Sequence, residues 1–247
     1  MTEYFPVIDT HAHFEELPDP QAAAEEARNG GVLAIVAVGQ DIASNKKALE
    51  MAAKNREFIH PAIGYHPWRL DPKNHDNTLA FIDKHLPSCV ALGEVGLDYK
   101  AKTKKKAQKA VFVELIDLAK KYDKPIILHC RYSHARAFQM VKDAGLKKVV
   151  FHWFSGPIEL IPSIAGEGYF MSASPALIYN PYHQKAIQAV PLSNLLLETD
   201  SPVTYRDLHS RPVHVQVTLK EVAKGKDMGI EEIAEQTTRN ARACFGL

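Results

Sequence analysis

Apolar residues in this chain gather into short runs, and run after run ends on a polar side chain. Residues 5–10 read as a buried strand, and Asp19 to Asn29 as a helix stopped by Gly30-Gly31. The stretch 32–38 (Val-Leu-Ala-Ile-Val-Ala-Val) holds no polar side chain, as a strand buried on both faces requires. A helix over 42–55 follows, then a strand at Ile59 to Gly64. Asn77 to Leu86 is predicted to be helical, and Val90 to Glu94 a fourth strand. Within 104–121, apolar positions 111, 112, 115, 116, 118 and 119 fall on one helical stripe. Pro125 starts strand five, a helix covers 133–144 before Gly145, and Lys148 to His152 is strand six. Pro157, tolerated in a first helical turn, opens a helix to Ala165. Tyr169 to Ser172 is the seventh strand, 182–189 a helix, and Leu195 to Thr199 the eighth strand. Helices over 213–225 and 231–243 complete the pattern.

Strict alternation of eight strands with helices predicts an α/β fold, a closed (β/α)8 TIM barrel rather than an open doubly wound sheet. Barrels of about 250 residues form one unit, and no linker, charge block or low-complexity tract divides this chain. A single domain over 1–247 is expected.

Composition narrows the setting without naming a function. Apolar content of 46% with 24% charged residues suits a globular chain with a substantial core. A net charge of +1 supplies no global field toward nucleic acid or an anionic membrane, so any basic surface must be local. Three scattered cysteines (Cys89, Cys130, Cys244) form neither a disulfide framework nor a thiolate metal site, and a reducing, cytoplasmic setting is expected. The opening Met1-Thr2-Glu3-Tyr4-Phe5 lacks the basic and apolar segments of a secretion signal. No run approaches the ~18 apolar residues of a membrane span. Neither a membrane nor an obligate protein partner is expected.

The polar ends of the apolar runs carry the chemistry. His11 and His13 follow Val7-Ile8-Asp9-Thr10, and Glu94 follows Val90-Ala91-Leu92-Gly93. His129 closes Pro125-Ile126-Ile127-Leu128, His152 follows Val149-Val150-Phe151, and Asp200 follows Leu195-Leu196-Leu197-Glu198-Thr199. A strand projects residues i and i+2 to one side, so His11 and His13 can share the barrel mouth. With 12 histidines, chance alone gives about 0.6 such pairs, so position matters more than the motif. Ligands at the carboxyl ends of strands one, four, five, six and eight converge in a parallel barrel. Four imidazoles and two carboxylates make a nitrogen and oxygen site for divalent ions. Six ligands exceed the needs of one catalytic ion, which points to two ions bridged by a carboxylate, ~3.5–4 Å apart.

Several of these segments also carry a resemblance. Ile8-Asp9-Thr10-His11-Ala12-His13-Phe14, Gly64-Tyr65-His66-Pro67 and Gly93-Glu94-Val95-Gly96-Leu97-Asp98-Tyr99 resemble successive signatures of the TatD family of metal-dependent deoxyribonucleases. Leu128-His129-Cys130-Arg131, Phe151-His152-Trp153-Phe154-Ser155-Gly156 and Leu196-Leu197-Glu198-Thr199-Asp200-Ser201-Pro202 continue it. The tail Thr237-Thr238-Arg239-Asn240-Ala241, with Phe245-Gly246-Leu247, is similar to the family's ending. The resemblance implies a TIM barrel of the amidohydrolase superfamily. It also implies that His11, His13 and Asp200 bind one ion, His129 and His152 the other, and Glu94 lies between them. Trp153 departs from the small residue or cysteine common in the family, and Val203-Thr204-Tyr205-Arg206 lacks its usual pattern.

Around this set, each residue admits two readings. His66 is a histidine bonded within a tight turn or a phosphate contact at the mouth. Asp98 makes a local turn bond or orients a ligand histidine. Arg131 clamps a phosphate or forms a surface ion pair. Asp9 shares the face of His11 one layer deeper, where burial demands a partner. The run Lys100 to Lys109, with Lys104 and Lys105 at its centre, is a solvated face or a phosphate-binding rim. Thr103 as the cap of the following helix would place lysines in the first turn, against the helix dipole. Tyr65, Trp68, Tyr99, Trp153 and Phe154 pack at the rim or stack bases.

Three functions follow. The first is a two-metal deoxyribonuclease, exonucleolytic, in which an ion-activated water attacks phosphorus, Asp200 accepts its proton and Glu94 holds the ions. Zinc, manganese, nickel and magnesium are all compatible with this ligand set. The second is an amidohydrolase for a small amide, lactone or phosphate ester. The third is a metal-binding module without catalysis.

Overall fold

Eight strands form one parallel sheet in chain order, each paired with the next. This computed structural model describes residues 4–247; Met1, Thr2 and Glu3, read above for a secretion signal, lie outside the described residues. The strands are β1 (Val7–Ala12), β2 (Val32–Val38), β3 (Ile59–Ile63), β4 (Ala91–Asp98), β5 (Ile126–Arg131), β6 (Val149–Phe151), β7 (Phe170–Ala173) and β8 (Leu195–Leu197). Between and after them come α1 (Pro20–Asn29), α2 (Ile42–Lys54), α3 (His75–His85), α4 (Lys105–Lys121), α5 (His134–Asp143), α6 (Ile161–Gly166), α7 (Pro181–Ala189), α8 (Val215–Lys226) and α9 (Ile230–Phe245). The ring closes from β8 to β1 through an Ala12 to Ser201 bridge and through Asp200 N–H donating to His11 O at 2.9 Å.

Local chemistry sets the helix starts. Asp41 accepts from Ser44 N–H while the Ser44 hydroxyl accepts from Asp41 N–H, a reciprocal box that fixes α2. Asn180 caps α7 ahead of Pro181. The expected cap at Thr103 is not made: α4 begins one residue later, behind Lys104. Gln108 explains the shift, because its amide donates to Thr103 O and Asp98 O while its oxygen accepts from Asp98 N–H.

Two apolar clusters separate inside from outside. Ile8, Val36, Ala62, Ile127, Val150 and Leu196 fill the barrel with α9 residues Ala241, Cys244 and Phe245. The alternate set, including Val7, Ile35, Leu92, Val95, Leu128 and Leu197, packs against the helix layer. Alternation along a strand produces this division, and two exceptions to it build the site. Register slips by one residue between Asp9 and Ala12 on β1, and between Leu92 and Val95 on β4. Each slip is a bulge, which re-aims the side chains it holds.

Several limits differ from the expected ones. Strand β4 runs to Asp98 rather than stopping at Glu94, because Val95 to Asp98 go on pairing with Leu128 to Arg131. The end of the eighth strand is shorter than expected, since β8 stops at Leu197. A small hairpin, β9 (Thr204–Tyr205) with β10 (Leu208–His209), follows it without any apolar run to announce it. Among the described residues, no helix is long and apolar enough to cross a membrane.

Candidate metal centre

The two bulges decide which side chains face the mouth. Plain alternation from Ile8, which points inward, would turn His11 outward; the slip after Asp9 reverses it. On β4, Leu92 and Val95 both pack in the outer layer, and the extra residue between them lets Glu94 face in. Gly96 makes the adjoining stretch possible. Its φ is +141°, and a Cβ there would lie 2.2 Å from His129 O. His129 and His152 follow Ile127 and Val150 at two-residue spacing and inherit their inward direction.

Glu94 sits at the centre, 2% exposed, with its two oxygens facing different partners. Oε1 lies 2.8 Å from His129 Nδ1, 2.8 Å from His152 Nε2 and 3.4 Å from His66 Nε2. Oε2 lies 3.5 Å from His13 Nε2 and 3.6 Å from His11 Nε2. Asp200 Oδ1 completes the second group at 3.3 Å from His13 Nε2 and 3.6 Å from His11 Nε2.

Donor chemistry tests whether this set fits an ion. His13 Nδ1 faces Val38 O at 3.0 Å, so that nitrogen carries a hydrogen and Nε2 is the atom left to take a proton or an ion. His11 Nε2 stands 3.1 Å from it, and the Glu94 and Asp200 oxygens stand around both. Lone pairs gathered this closely require positive charge among them. Donors ~2.0–2.1 Å from a tetrahedral ion lie ~3.3 Å from one another, close to the separations of this group. The residues fit a divalent cation.

Electrostatics agree. Burial works against charge on His13, yet the bond and charge of Asp200, with Glu94 behind, push it up to about 10. Burial likewise opposes charge on His152 and His129, but Glu94 and Glu198 raise the first, and Asp98 and Glu94 the second. Burial would raise Glu94 and Asp200, and the surrounding imidazoles hold both below the ordinary carboxylate range. His66 is pushed down to about 4, chiefly by burial. Its Nδ1 accepts from Trp68 N–H at 3.1 Å, so Nε2 carries the hydrogen.

The remaining expected residues divide. Asp98 makes the local turn bonds, its Oδ1 accepting from Lys100 and Ala101 N–H, and its Oδ2 lies 3.1 Å from His129 Nε2. Asp9 does not sit beneath His11 on the inward face. It accepts from Thr199 N–H, Thr199 Oγ1 and His11 N–H, stapling β1 to the chain after β8, and burial raises its carboxyl against those donors. Arg131 is exposed, and with Trp153 it lines a 550 Å³ cavity over the carboxylates. Trp153 leans on Tyr205 with ring centroids 5.3 Å apart. Lys104 and Lys105 lie outside that cavity, and Lys105 covers the Tyr99 ring at 4.4 Å.

Two residues of the site, Glu198 and Gln40, are not among the expected ones. Glu198 is fully buried, 3.4 Å from His152 Nδ1, and accepts from the Ser172 hydroxyl. An acid two positions before Asp200 in an apolar run signals it, since that spacing shares a face. Gln40 donates to Glu94 Oε2 at 3.3 Å, and it too follows an apolar run, β2. Trp68, expected at the rim, donates from Nε1 to Asp98 Oδ2 at 2.6 Å across the mouth, a contact with no sequence signal.

Known proteins are similar to this chain over nearly its whole length. The family pattern described as TatD related DNase matches residues 8–246. The human protein named Deoxyribonuclease TATDN3 is 29% identical over 262 residues, covering 97% of this chain and 94% of its own. The Bacillus subtilis protein YabD, described as an uncharacterized metal-dependent hydrolase, is 34% identical over 257 residues, 98% of this chain and 99% of its own. The crystal structure of YJJV, a TatD homolog from Escherichia coli K12, matches with a TM-score of 0.88 at 27% identity over 98% of both chains. A 5-methylcytosine deaminase from Klebsiella pneumoniae, 12% identical with a TM-score of 0.68, shares the fold alone. This chain belongs to the TatD-related DNase family.

Proposed function

We propose that this member of the family, a metal-dependent deoxyribonuclease, removes nucleotides from DNA strand ends with two divalent ions held in the barrel mouth. His11, His13 and Asp200 would hold one ion and His129 and His152 the other, with Glu94 between them. The observation that carries this reading is the division of Glu94, Oε1 toward His129 and His152 and Oε2 toward His11 and His13. The names of the human and Bacillus subtilis relatives support the activity and its dependence on metal. Bound there, the ions supply Lewis acidity at the phosphoryl oxygens and bring the pKa of a water toward neutrality.

The chain's own groups do the rest. Asp200 is held as a carboxylate and lines the cavity, so one of its oxygens takes the attacking water's proton. His66 presents Nε2–H to the same space and donates to a phosphate oxygen. Arg131 binds the phosphate by its fork of donors. Trp153 walls the pocket, while Lys104 and Lys105 draw the phosphate chain from farther out. Every group invoked comes from one chain, and the three unpaired cysteines suit the cytoplasm.

The test strips the protein of metal and restores zinc, manganese, nickel or magnesium singly. Nucleotide release from single- and double-stranded DNA is followed beside turnover of small amides, lactones and phosphate esters. Release of nucleotides with two ions bound per chain is expected. Turnover of small substrates alone would favour the amidohydrolase reading, and full metal loading without any hydrolysis would leave a binding module.

A further inference from the structure

Two imidazoles stand side by side at the mouth and face the same carboxylate oxygen. His66 Nε2 lies 3.4 Å and His129 Nδ1 2.8 Å from Glu94 Oε1, and the two ring centroids are 4.3 Å apart. These three side chains are close enough to hold an ion together. Yet only His129 is a proposed ligand, while His66 offers a hydrogen to the mouth. A neighbouring group must set which nitrogen of each ring is free.

Trp68 reaches both rings. Its indole meets them at steep angles, with centroids 4.7 Å from His66 and 5.5 Å from His129. Its backbone N–H donates to His66 Nδ1 at 3.1 Å. The hydrogen of the neutral ring therefore sits on Nε2, and no lone pair is left there for an ion. The indole acts on the other ring by way of Asp98. Nε1–H donates to Asp98 Oδ2 at 2.6 Å, and Lys100 and Ala101 N–H donate to Oδ1 at 2.7 and 3.1 Å. Three donors on one carboxyl group favour its ionised form, which can only accept. His129 Nε2, 3.1 Å from Oδ2, is then the nitrogen that carries the hydrogen, and Nδ1 is left for an ion. Trp68 is 54% exposed whereas Asp98 is fully buried, so the bond to Asp98 rather than core packing fixes the indole. That bond also ties the loop after β3 to the end of β4.

We infer that Trp68 is a positioning residue that divides the work of the two histidines. Its backbone keeps His66 out of the ligand set, and its indole, through Asp98, keeps the lone pair of His129 on the side of Glu94. This assignment rests on the two-ion reading and deepens it by naming what selects the ligands.

The experiment follows stepwise binding of zinc to metal-free protein by competition with a chromophoric chelator. Wild type, Trp68→Phe, Asp98→Asn, the double variant and His66→Gln are compared. Phenylalanine keeps a ring against the histidines and the backbone N–H, and loses the indole donor. Trp68→Phe should weaken one of the two ions about three- to tenfold, less than the roughly 10- to 100-fold of Asp98→Asn, which stands one bond nearer. The other ion and the melting temperature of the metal-free protein should not change. In the Asp98→Asn background, Trp68→Phe should cost nothing further, since both changes interrupt one path. His66→Gln should keep both affinities at their wild-type values. Wild-type affinity in Trp68→Phe, or a loss that adds in full to that of Asp98→Asn, would overturn the role of the indole. Weakened binding in His66→Gln would overturn the role of the backbone N–H. Equal loss of both ions with a lower melting temperature would reduce Trp68 to packing and overturn the assignment as well. Wild-type protein that takes up fewer than two ions would remove the two-ion reading, and this assignment with it.

Discussion

At the scale of single residues, the site works because neighbouring groups fix which atoms carry protons. Asp200 is kept ionised by His13 and the other imidazoles, so its replacement by the isosteric amide removes a base without removing bulk. Asp200→Asn should lower nucleotide release about a hundredfold to ten-thousandfold while the melting temperature of the metal-free protein holds, and a fully active variant would end its assignment as the base. Glu198 acts at one remove. Its carboxylate stands behind His152 and is anchored by the Ser172 hydroxyl, a position from which it orients the imidazole and makes it a better donor. Glu198→Gln should weaken metal affinity about 10- to 100-fold, measured by competition with a chromophoric chelator. Unchanged affinity would reduce Glu198 to packing.

At the scale of elements, the bulges and the glycine beside them are the devices that aim the ligands. Gly96→Ala would force a Cβ against His129 O at a backbone angle that side chains rarely adopt, so β4 and β5 must part. A loss of about 3 kcal/mol or more is expected in urea unfolding, with metal affinity falling alongside; a variant as stable as wild type would show that the two strands have slack. His183 fastens another junction. Its Nδ1–H donates to Phe154 O while Nε2 accepts from Ser174 N–H, which fixes the neutral ring between the loops after β6 and β7. Burial accordingly pushes it down to about 4. The unfolded imidazole takes its proton near 6.5, so the folded state is fully favoured above that pH and loses stability as pH falls toward 4. In metal-free protein, His183→Gln should flatten that acid slope by about one proton, worth ~3 kcal/mol across the interval. Identical slopes would place the acid sensitivity elsewhere.

These elements also mark what a sequence can reveal. Alternation and strand-end polarity mark the ends of β1, β4, β5, β6 and β8 as the places of the proposed ligands, because each residue's environment there follows from its own run. Bulges do not follow from one run; they are defined by the partner strand, so strand-end position gives His11 and Glu94 at the mouth but not the register slips that turn them there. For the same reason β4 was cut short at Glu94 and Asp9 was assigned to the inward face. The start of α4 depended on Gln108 reaching back to Thr103, a tertiary bond that overrides local capping preference. Glu198 and Gln40 obeyed the same strand-end pattern and could have been read from it.

At the scale of the whole molecule, the metal centre is a clasp across the ring. Its six proposed ligands come from β1, β4, β5 and the segments that follow β1, β6 and β8, so ions held there tie strands adjacent to the β8 to β1 seam to strands opposite it. That seam is the least paired part of the sheet, closed by one bridge and a few hydrogen bonds. Stabilisation by an ion that binds only the folded state grows with its concentration over Kd, reaching about 2.7 kcal/mol at a hundredfold excess. For a chain of this size, that corresponds to a rise of roughly 5–10 °C in melting temperature. Calorimetry in chelator and then in rising zinc or manganese should trace this increase, with two ions bound per chain at its plateau. Asp200→Asn should keep the contribution of the His129 and His152 side and lose part of the other. A melting temperature indifferent to every divalent ion would mean that the barrel closes unaided and that the six side chains do not grip metal.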